Sequence, residues 1–598
     1  MRIPSTKHQQ LRELTVAMCL GRIGTRIQKR EVRGLAQNSF DFLEGPNVDM
    51  TSESDIIRNV EATILDQKHK QFMLMHRPND IAIPHLLKVL GHIDRTLISE
   101  LNDESFLRQR AFMQTVLSAA GHCLRWLSTS SSNIVLLRNA SWKKLDEEAL
   151  DLLGWGISYS QLAADHVAWS RGLLTGKADQ RNKIISFEPP DNLDSSFLAS
   201  QSIAEETLAE SFFKEFPYES LRGGFQVWLR QFKLTSVMDS NMWHVEQDGR
   251  AYEAASSWTE MVVWPELLNE TDLEGYTLGD FRRLYTSLFL VAQYCAWAED
   301  AIDSTQGPEN EGGSIVFNDS ESRIVHWLSE ISGVEQSSVH NILCDLIFDT
   351  NDFHSSLANQ PFVRSKSRQI FLLARLLPLL EPSRMISGAL LKGKKKKVYE
   401  RVVNTLEQSN LDMIESYIKN LGLAVFREKK IFANSNFEVE PDFLLLDKER
   451  KELLIIEYKH TLTSIGPSEV VSKVKTLEEG KGGIKQVQKY LAILKQNTFP
   501  LDGHNIAPAD GYQIYGLLLF RWPMVLPLKT PPDMNIIDWI SLKEILSWTD
   551  GISISHLIDL INKRPDLPLN PKGWKQDAFE IKVDEWTYKH TIFVPGNY

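Results

Sequence analysis

The sequence predicts a mixed α/β sheet flanked by helices in its last third, after a large and mostly helical region. Three observations lead there. Before residue 390, long segments return apolar residues every three to four positions. After residue 398, compact apolar runs of strand length replace them, at Phe443–Leu446 and Leu453–Ile456. The charge changes at the same place. The 598 residues hold 66 basic and 78 acidic side chains; positions 391–598 carry 29 and 27 of them, leaving 37 and 51 for positions 1–390. The net charge of −12 therefore divides into −14 on the first part and +2 on the second. A bulk basic surface is absent, which by itself argues against a nucleic-acid partner; the division removes that objection for the second part.

The helical region comes first. Its expected helices are Glu104–Trp126, Glu147–Gly172, Ser202–Phe216 and Leu278–Ala298. Gly223-Gly224 and the stretch Gly307–Gly313 read as turns or linkers, the second as the better internal boundary. Trp327–Leu343 has a helix–turn–helix cadence, with Gly333 at the turn and Val334, Val339 and Ile342 as core. It carries Glu335 and few basic residues, so ordinary helical packing is favoured over groove reading. The tryptophans of this region, Trp126, Trp155, Trp169, Trp228 and Trp243 among them, read as core. The lysine run of Lys392–Lys397 marks the boundary; its four lysines at 394–397 either cap the domain that follows or touch a backbone, or are a solvated linker.

Beyond it, Val398–Asn420 has a helical pattern, Leu423–Phe426 is short and apolar, and the two runs at 443 and 453 follow. Ile484–Lys495 is helical again, Tyr512–Phe520 is strand-like, Ile536–Trp539 is a short strand and Leu542–Trp548 a helix. The order is helix, three strands, helix, strand, short strand, helix. The expected units are 1–302, mostly helical and acidic; 315–390, small and helical; 398–550, the sheet; and 551–598. In the last, Phe579–Val583 and Tyr588–Val594 suit a hairpin that extends the core or makes an oligomer contact.

Composition excludes several classes. Hydrophobic residues are 42% and charged residues 24%, with 32 Gly and 24 Pro, which excludes a collagen-like or disordered chain. The four cysteines, Cys19, Cys123, Cys295 and Cys344, lie far apart without a CxxC. They suit neither a four-thiolate zinc site nor a disulfide scaffold, and point to a reducing, cytoplasmic compartment. The apolar stretch Leu284–Trp297 is too short for a membrane span and runs into Glu299 and Asp300, and Met1 precedes no long apolar stretch, so neither a membrane nor export is expected. No GxxxxGK[ST] loop or HExxH is present. Gly121-His122-Cys123 has no base or orienting acid to activate the thiol.

The chemistry concentrates in Pro441-Asp442 and Glu457-Tyr458-Lys459. The polar stretch 447–452 reads as a hairpin turn. A hairpin symmetric about 449 and 450 sets Asp442 opposite Glu457, with Cβ atoms about 4.5–5.5 Å apart. Lys459 shares the face of Glu457 by the two-residue strand period. Two close carboxylates repel each other and favour a divalent cation, and oxygen donors suit magnesium or manganese. Such an ion neutralises a phosphodiester and acidifies water, and a neighbouring lysine orients the water or stabilises developing charge. The bland alternative is a charged fringe at strand ends. On the next helix, Gln486 and Tyr490 are four apart on one face, with Lys485 and Lys489 on an adjacent one. These four suit phosphate oxygens and a substrate strand, or simply a half-exposed helix. Glu415, on the helix before the first strand, is a further candidate ligand; Glu407, two turns earlier, is its rival. His460 is either a phosphate contact or a structural histidine.

These residues resemble the PD-(D/E)xK nuclease superfamily over about 398–550. The match is Pro441-Asp442, a gap of 14 residues, then Glu457-Tyr458-Lys459. Gln486-x-x-x-Tyr490 resembles the motif after the catalytic lysine in the RecB-like branch, and Glu415 is similar to a helical glutamate of many members. The resemblance implies an α/β restriction-endonuclease-like core that cuts phosphodiester bonds, usually in DNA rather than RNA, with Mg2+ or Mn2+. It implies that Asp442 and Glu457 bind metal and Lys459 assists catalysis. With the large unassigned helical region, it points to bacterial or archaeal defence against foreign DNA. The helical region would control access or substrate choice, or dock a protein partner or a second copy. The rival reading is an inactive nuclease fold that binds DNA or protein within an assembly.

Overall fold

The computed structural model describes residues 52–100, 106–129, 141–172, 174–188, 216–231, 248–306, 316–351, 355–391, 395–434, 437–460, 466–479, 483–522, 533–547, 552–562 and 574–595. The expected helix at Ser202–Phe216 and the linker at Gly307–Gly313 lie outside them, Phe216 excepted.

Helices dominate the first part. They are α1 (Glu53–Val60), α2 (Asn79–Glu100), α3 (Phe106–Thr129), α4 (Trp142–Ser170), then, after strands β1 (Thr175–Asp179) and β2 (Ile184–Glu188), α5 (Tyr218–Gln231), α6 (Gly249–Val262) and α7 (Leu278–Gln306). The Gly223-Gly224 pair expected as a turn lies inside α5. Packing explains it: a Cβ on Gly224 would stand 2.4 Å from the Ala251 Cβ and 2.5 Å from the Tyr294 hydroxyl. Gly224 lets α5 lie close on α6 and α7, and that close approach outweighs the low helix propensity of glycine there; a Cβ on Gly223 would meet nothing.

Next come β3 (Val316–Ser320), α8 (Glu321–Ser332), α9 (Gln336–Leu346), β4 (Ile347–Phe348), β5 (Phe362–Arg364), β6 (Gln369–Leu373) and α10 (Pro382–Leu391). Gly333 ends α8 with φ of 65°, a left-handed cap that turns the chain into α9. Val334, Val339 and Ile342 are buried as expected. The helix pair does not stand alone, because β3, β6, β5 and β4 form a four-stranded sheet, in that order, around it. One hydrophobic core runs from Leu74 to Leu406 through these elements.

The last part is a mixed sheet flanked by helices. Its elements are α11 (Lys396–Ile418), β7 (Ala424–Arg427), β8 (Ile431–Asn434), β9 (Phe437–Val439), β10 (Phe443–Asp447), β11 (Glu452–Lys459), α12 (Gly466–Glu479) and α13 (Ile484–Gln496). After them come β12 (Phe499–Leu501), β13 (His504–Ile506), β14 (Gln513–Phe520), β15 (Met534–Asp538), α14 (Trp539–Ser547) and α15 (Ile554–Asn562). The central sheet has the order β15-β14-β11-β10-β7. β7, β10 and β11 are antiparallel, whereas β11, β14 and β15 are parallel. The parallel step needs a crossover, and α12 and α13 supply it.

Strand alternation divides the apolar side chains between two cores. Phe443, Leu445, Leu454 and Ile456 pack with α11, α14 and α15. Leu444, Leu446, Leu453 and Ile455 pack with α13 on the other face. Both faces are covered, which is why these strands read as unbroken apolar runs.

The chain ends in β16 (Trp574–Val583) and β17 (Trp586–Pro595), an antiparallel hairpin. β17 pairs in parallel with β2, giving the sheet β1-β2-β17-β16. The hairpin thus joins strands some 400 positions earlier rather than the central sheet. Among the described residues, no helix is long and apolar enough to cross a membrane.

Candidate active site

The antiparallel ladder of β10 and β11 pairs Phe443 with Ile456 and Asp447 with Glu452. Continued by one residue, it sets Asp442 opposite Glu457. By strand alternation both side chains, and that of Lys459, belong to the face covered by α13. The Asp442 carboxylate accepts the Tyr458 backbone N–H at 2.6 Å. Lys459 Nζ donates to Glu457 Oε1 at 2.6 Å.

Glu457 is only 1% exposed, and its Oε2 is buried without a hydrogen-bond partner. A buried carboxylate oxygen with no donor is costly. Burial and then the neighbouring Asp442 push the Glu457 carboxyl up to about 7, against the pull of Lys459. Burial likewise raises Asp442, opposed by Lys459 and the Tyr458 N–H. Burial works against the Lys459 charge, but Glu457, Asp442 and Glu407 outweigh it and hold the ammonium above its ordinary value. The pocket therefore holds excess negative charge around one lysine, and a partnerless oxygen. Both features fit a divalent cation between Asp442 and Glu457.

Of the two helical glutamates, Glu407 feels the charges of Lys459 and Asp442, whereas Glu415 is paired with other cations. Burial raises the Glu407 carboxyl, and Lys459 and Asp442 are the charges that act on it most. Glu415 is bound to Lys419 Nζ at 2.7 Å and Arg427 Nη1 at 3.4 Å, and these cations hold its carboxyl below the ordinary range. The two glutamates are eight residues apart on α11, about 12 Å along its axis. The turn of Glu407 also carries Asn410, whose side chain meets His460 just beyond β11. The turn of Glu415 lies beside β7 at the sheet edge. The distinguishing sequence signal is Asn410, a polar residue in the apolar stripe Val402, Leu406, Leu411, Ile414.

Gln486 and Tyr490 meet as their spacing predicts. Gln486 Nε2 donates to the Tyr490 hydroxyl at 2.9 Å, and that hydroxyl donates to the Glu440 carbonyl at 3.1 Å. The pair holds the backbone two residues before Asp442, a connection the sequence does not reveal. Lys485 and Lys489 are exposed on the same helix.

His460 is held as a neutral structural group. Burial and the nearby Arg521 lower it to about 4, and its Nδ1 lies 3.4 Å from the Tyr458 hydroxyl. Arg521 links this strand end to the helical region: its N–H bonds the Lys459 carbonyl at 3.2 Å and its guanidinium pairs with Glu266 at 2.8 Å.

A second group of metal-ligand types lies on other elements. Glu321, His340 and Cys344 offer donor atoms all within 4.8 Å of one another, a cluster able to hold a metal ion. Sequence reasoning missed it because Glu321 is 19 positions from His340 and joins it only when α8 folds back on α9. No protein-family model, curated protein or solved structure matches this chain.

Proposed function

We propose that this protein is a divalent-metal-dependent nuclease acting on DNA, and that its central sheet is a restriction-endonuclease-like core. The observation that carries this reading is the meeting of Asp442, Glu457 and Lys459 at the ends of two central strands, with one Glu457 oxygen buried and unpartnered. A solvated charged fringe would not be buried in this way.

Asp442 and Glu457 would hold Mg2+ or Mn2+, with Glu407 beside them in the place foreseen for Glu415. The chemistry such an ion supplies when bound is neutralisation of phosphodiester charge and acidification of a water. Lys459 would orient the attacking water or take up charge on the phosphate oxygens. Tyr490 and Gln486 act as positioning residues that hold the Glu440–Asp442 backbone. Lys485 and Lys489, exposed on the same helix, suit substrate phosphates. The local surplus of base over acid in residues 391–598 supports a nucleic-acid substrate despite the acidic whole. Defence against foreign DNA is the biological setting this reading favours, with the helical region governing access or partner docking.

The test is metal-dependent digestion of plasmid, linear duplex, single strand and RNA by the wild type and Lys459→Ala. We expect the variant to lose roughly 100-fold or more in rate, the scale of removing one charge-stabilising donor. Absence of metal-dependent cutting, or equal cutting by both proteins, overturns the reading and favours a binding module.

A further inference from the structure

Glu321 is the first residue of α8, and His340 and Cys344 lie one helical turn apart on α9. His340 Nδ1 is 3.6 Å from Glu321 Oε1, and Cys344 Sγ is 3.7 Å from His340 Nε2. A tetrahedral zinc ion, with bonds of about 2.0–2.3 Å, spaces its donors about 3.3–3.8 Å apart. His340 turns a different nitrogen to each neighbour, and an ion takes only one of them; with one donor atom from each residue the three lie within 4.8 Å of one another, so side-chain rotation must close the remaining gap. His340 and Cys344 are exposed, so an ion reaches them from solvent, and three protein donors leave a fourth position for water.

A cation already lies against this group. Arg364, from β5, places Nη2 3.1 Å from Glu321 Oε1 and hydrogen-bonds Cys344. The guanidinium is partly exposed and can swing into water. The donor types then decide which metal enters. Magnesium prefers oxygen ligands, whereas a thiolate with an imidazole selects a borderline-soft ion.

We propose that Glu321, His340 and Cys344 form a zinc site that ties the start of α8 to α9, distinct in elements and chemistry from the Asp442–Glu457 pair. Binding releases the Cys344 thiol proton to solvent and displaces Arg364 from Glu321.

Cobalt(II) tests this, because a cobalt–thiolate bond gives a near-ultraviolet charge-transfer band. Titration of the full chain should give that band at one equivalent, unaffected by excess magnesium and abolished by added zinc. Lys459→Ala should retain it, Cys344→Ser should lose it, and His340→Ala should weaken cobalt binding at least about tenfold. Cys344 is exposed, so Cys344→Ser should fold, and circular dichroism checks it. No band in the wild type, or a band that persists in folded Cys344→Ser, overturns the assignment.

Discussion

Glu407 and Glu415 share a helix, a charge and partial burial, yet their surroundings differ in sign. Glu407 faces Lys459 together with a second carboxylate, while Glu415 is neutralised by Lys419 and Arg427. Glu407→Gln should therefore reduce metal-dependent cutting by roughly 10- to 100-fold, the usual cost of disturbing a group that supports a metal site. Glu415→Gln should leave it within about threefold. The reverse ranking in side-by-side digestion assays would return Glu415 to the site. Elsewhere, His122 shows how burial dominates a residue's titration. Burial, then Arg125, lowers it from 6.5 to about 4, beside the rings of Trp126 and Tyr159. The folded value lies below the unfolded one, so the unfolded chain takes up the proton first. Stability should thus fall as the pH drops from 6.5 to 4, by about 3 kcal/mol for this one group. Urea unfolding of His122→Phe should show a pH slope shallower by that amount. Parallel slopes for the two proteins would mean that the histidine titrates alike in the folded and unfolded chain.

At the scale of elements, the hairpin of β10 and β11 is the unit that creates the site. Its register is set by the turn, where Asp447 pairs with Glu452 and accepts the Arg450 backbone N–H. The register sets Asp442 against Glu457, but it does not fix the backbone beyond the last pair. α13 does that through the Tyr490 hydroxyl on Glu440. Tyr490→Phe keeps the ring buried and removes the bond. We expect roughly 10-fold slower cutting with little change in stability. Unchanged cutting would show that the Asp442 turn holds itself. The α5 helix teaches the converse about local signals. Gly223-Gly224 reads as a turn in isolation and is helical because α6 and α7 demand a small residue at Gly224.

For the whole molecule, the chain is closed on itself by a sheet that sequence proximity gives no hint of. Tyr588 of β17 is buried with Phe187 of β2, Ile57 of α1 and Leu162 of α4. Tyr588→Ala should cost about 3–5 kcal/mol, as loss of a buried aromatic does. Hydrogen exchange should quicken in α1 and β2 and change little in β10 and β11. Unchanged exchange in α1 and β2 would show that the hairpin lies on that region without stabilising it. Arg521 bonds Lys459 by its backbone and Glu266 by its side chain, so the helical region reaches the strand that carries the lysine.

The sequence by itself determined the local and short-range features. Apolar runs of strand length, the polar turn at 447–452 and the two-residue period placed Asp442, Glu457 and Lys459 together, because a hairpin brings neighbours in sequence into register. Four-residue spacing did the same for Gln486 and Tyr490. Only the tertiary structure set Glu407 within reach of the Lys459 charge and paired Glu415 with Lys419 and Arg427, joined Glu321 to His340 and Cys344, put strands into the helical region, and sent the final hairpin to β2. Each of those depends on contacts between distant segments. Helix rotation, chain reversal and strand pairing set them, and no single periodicity along the chain records them.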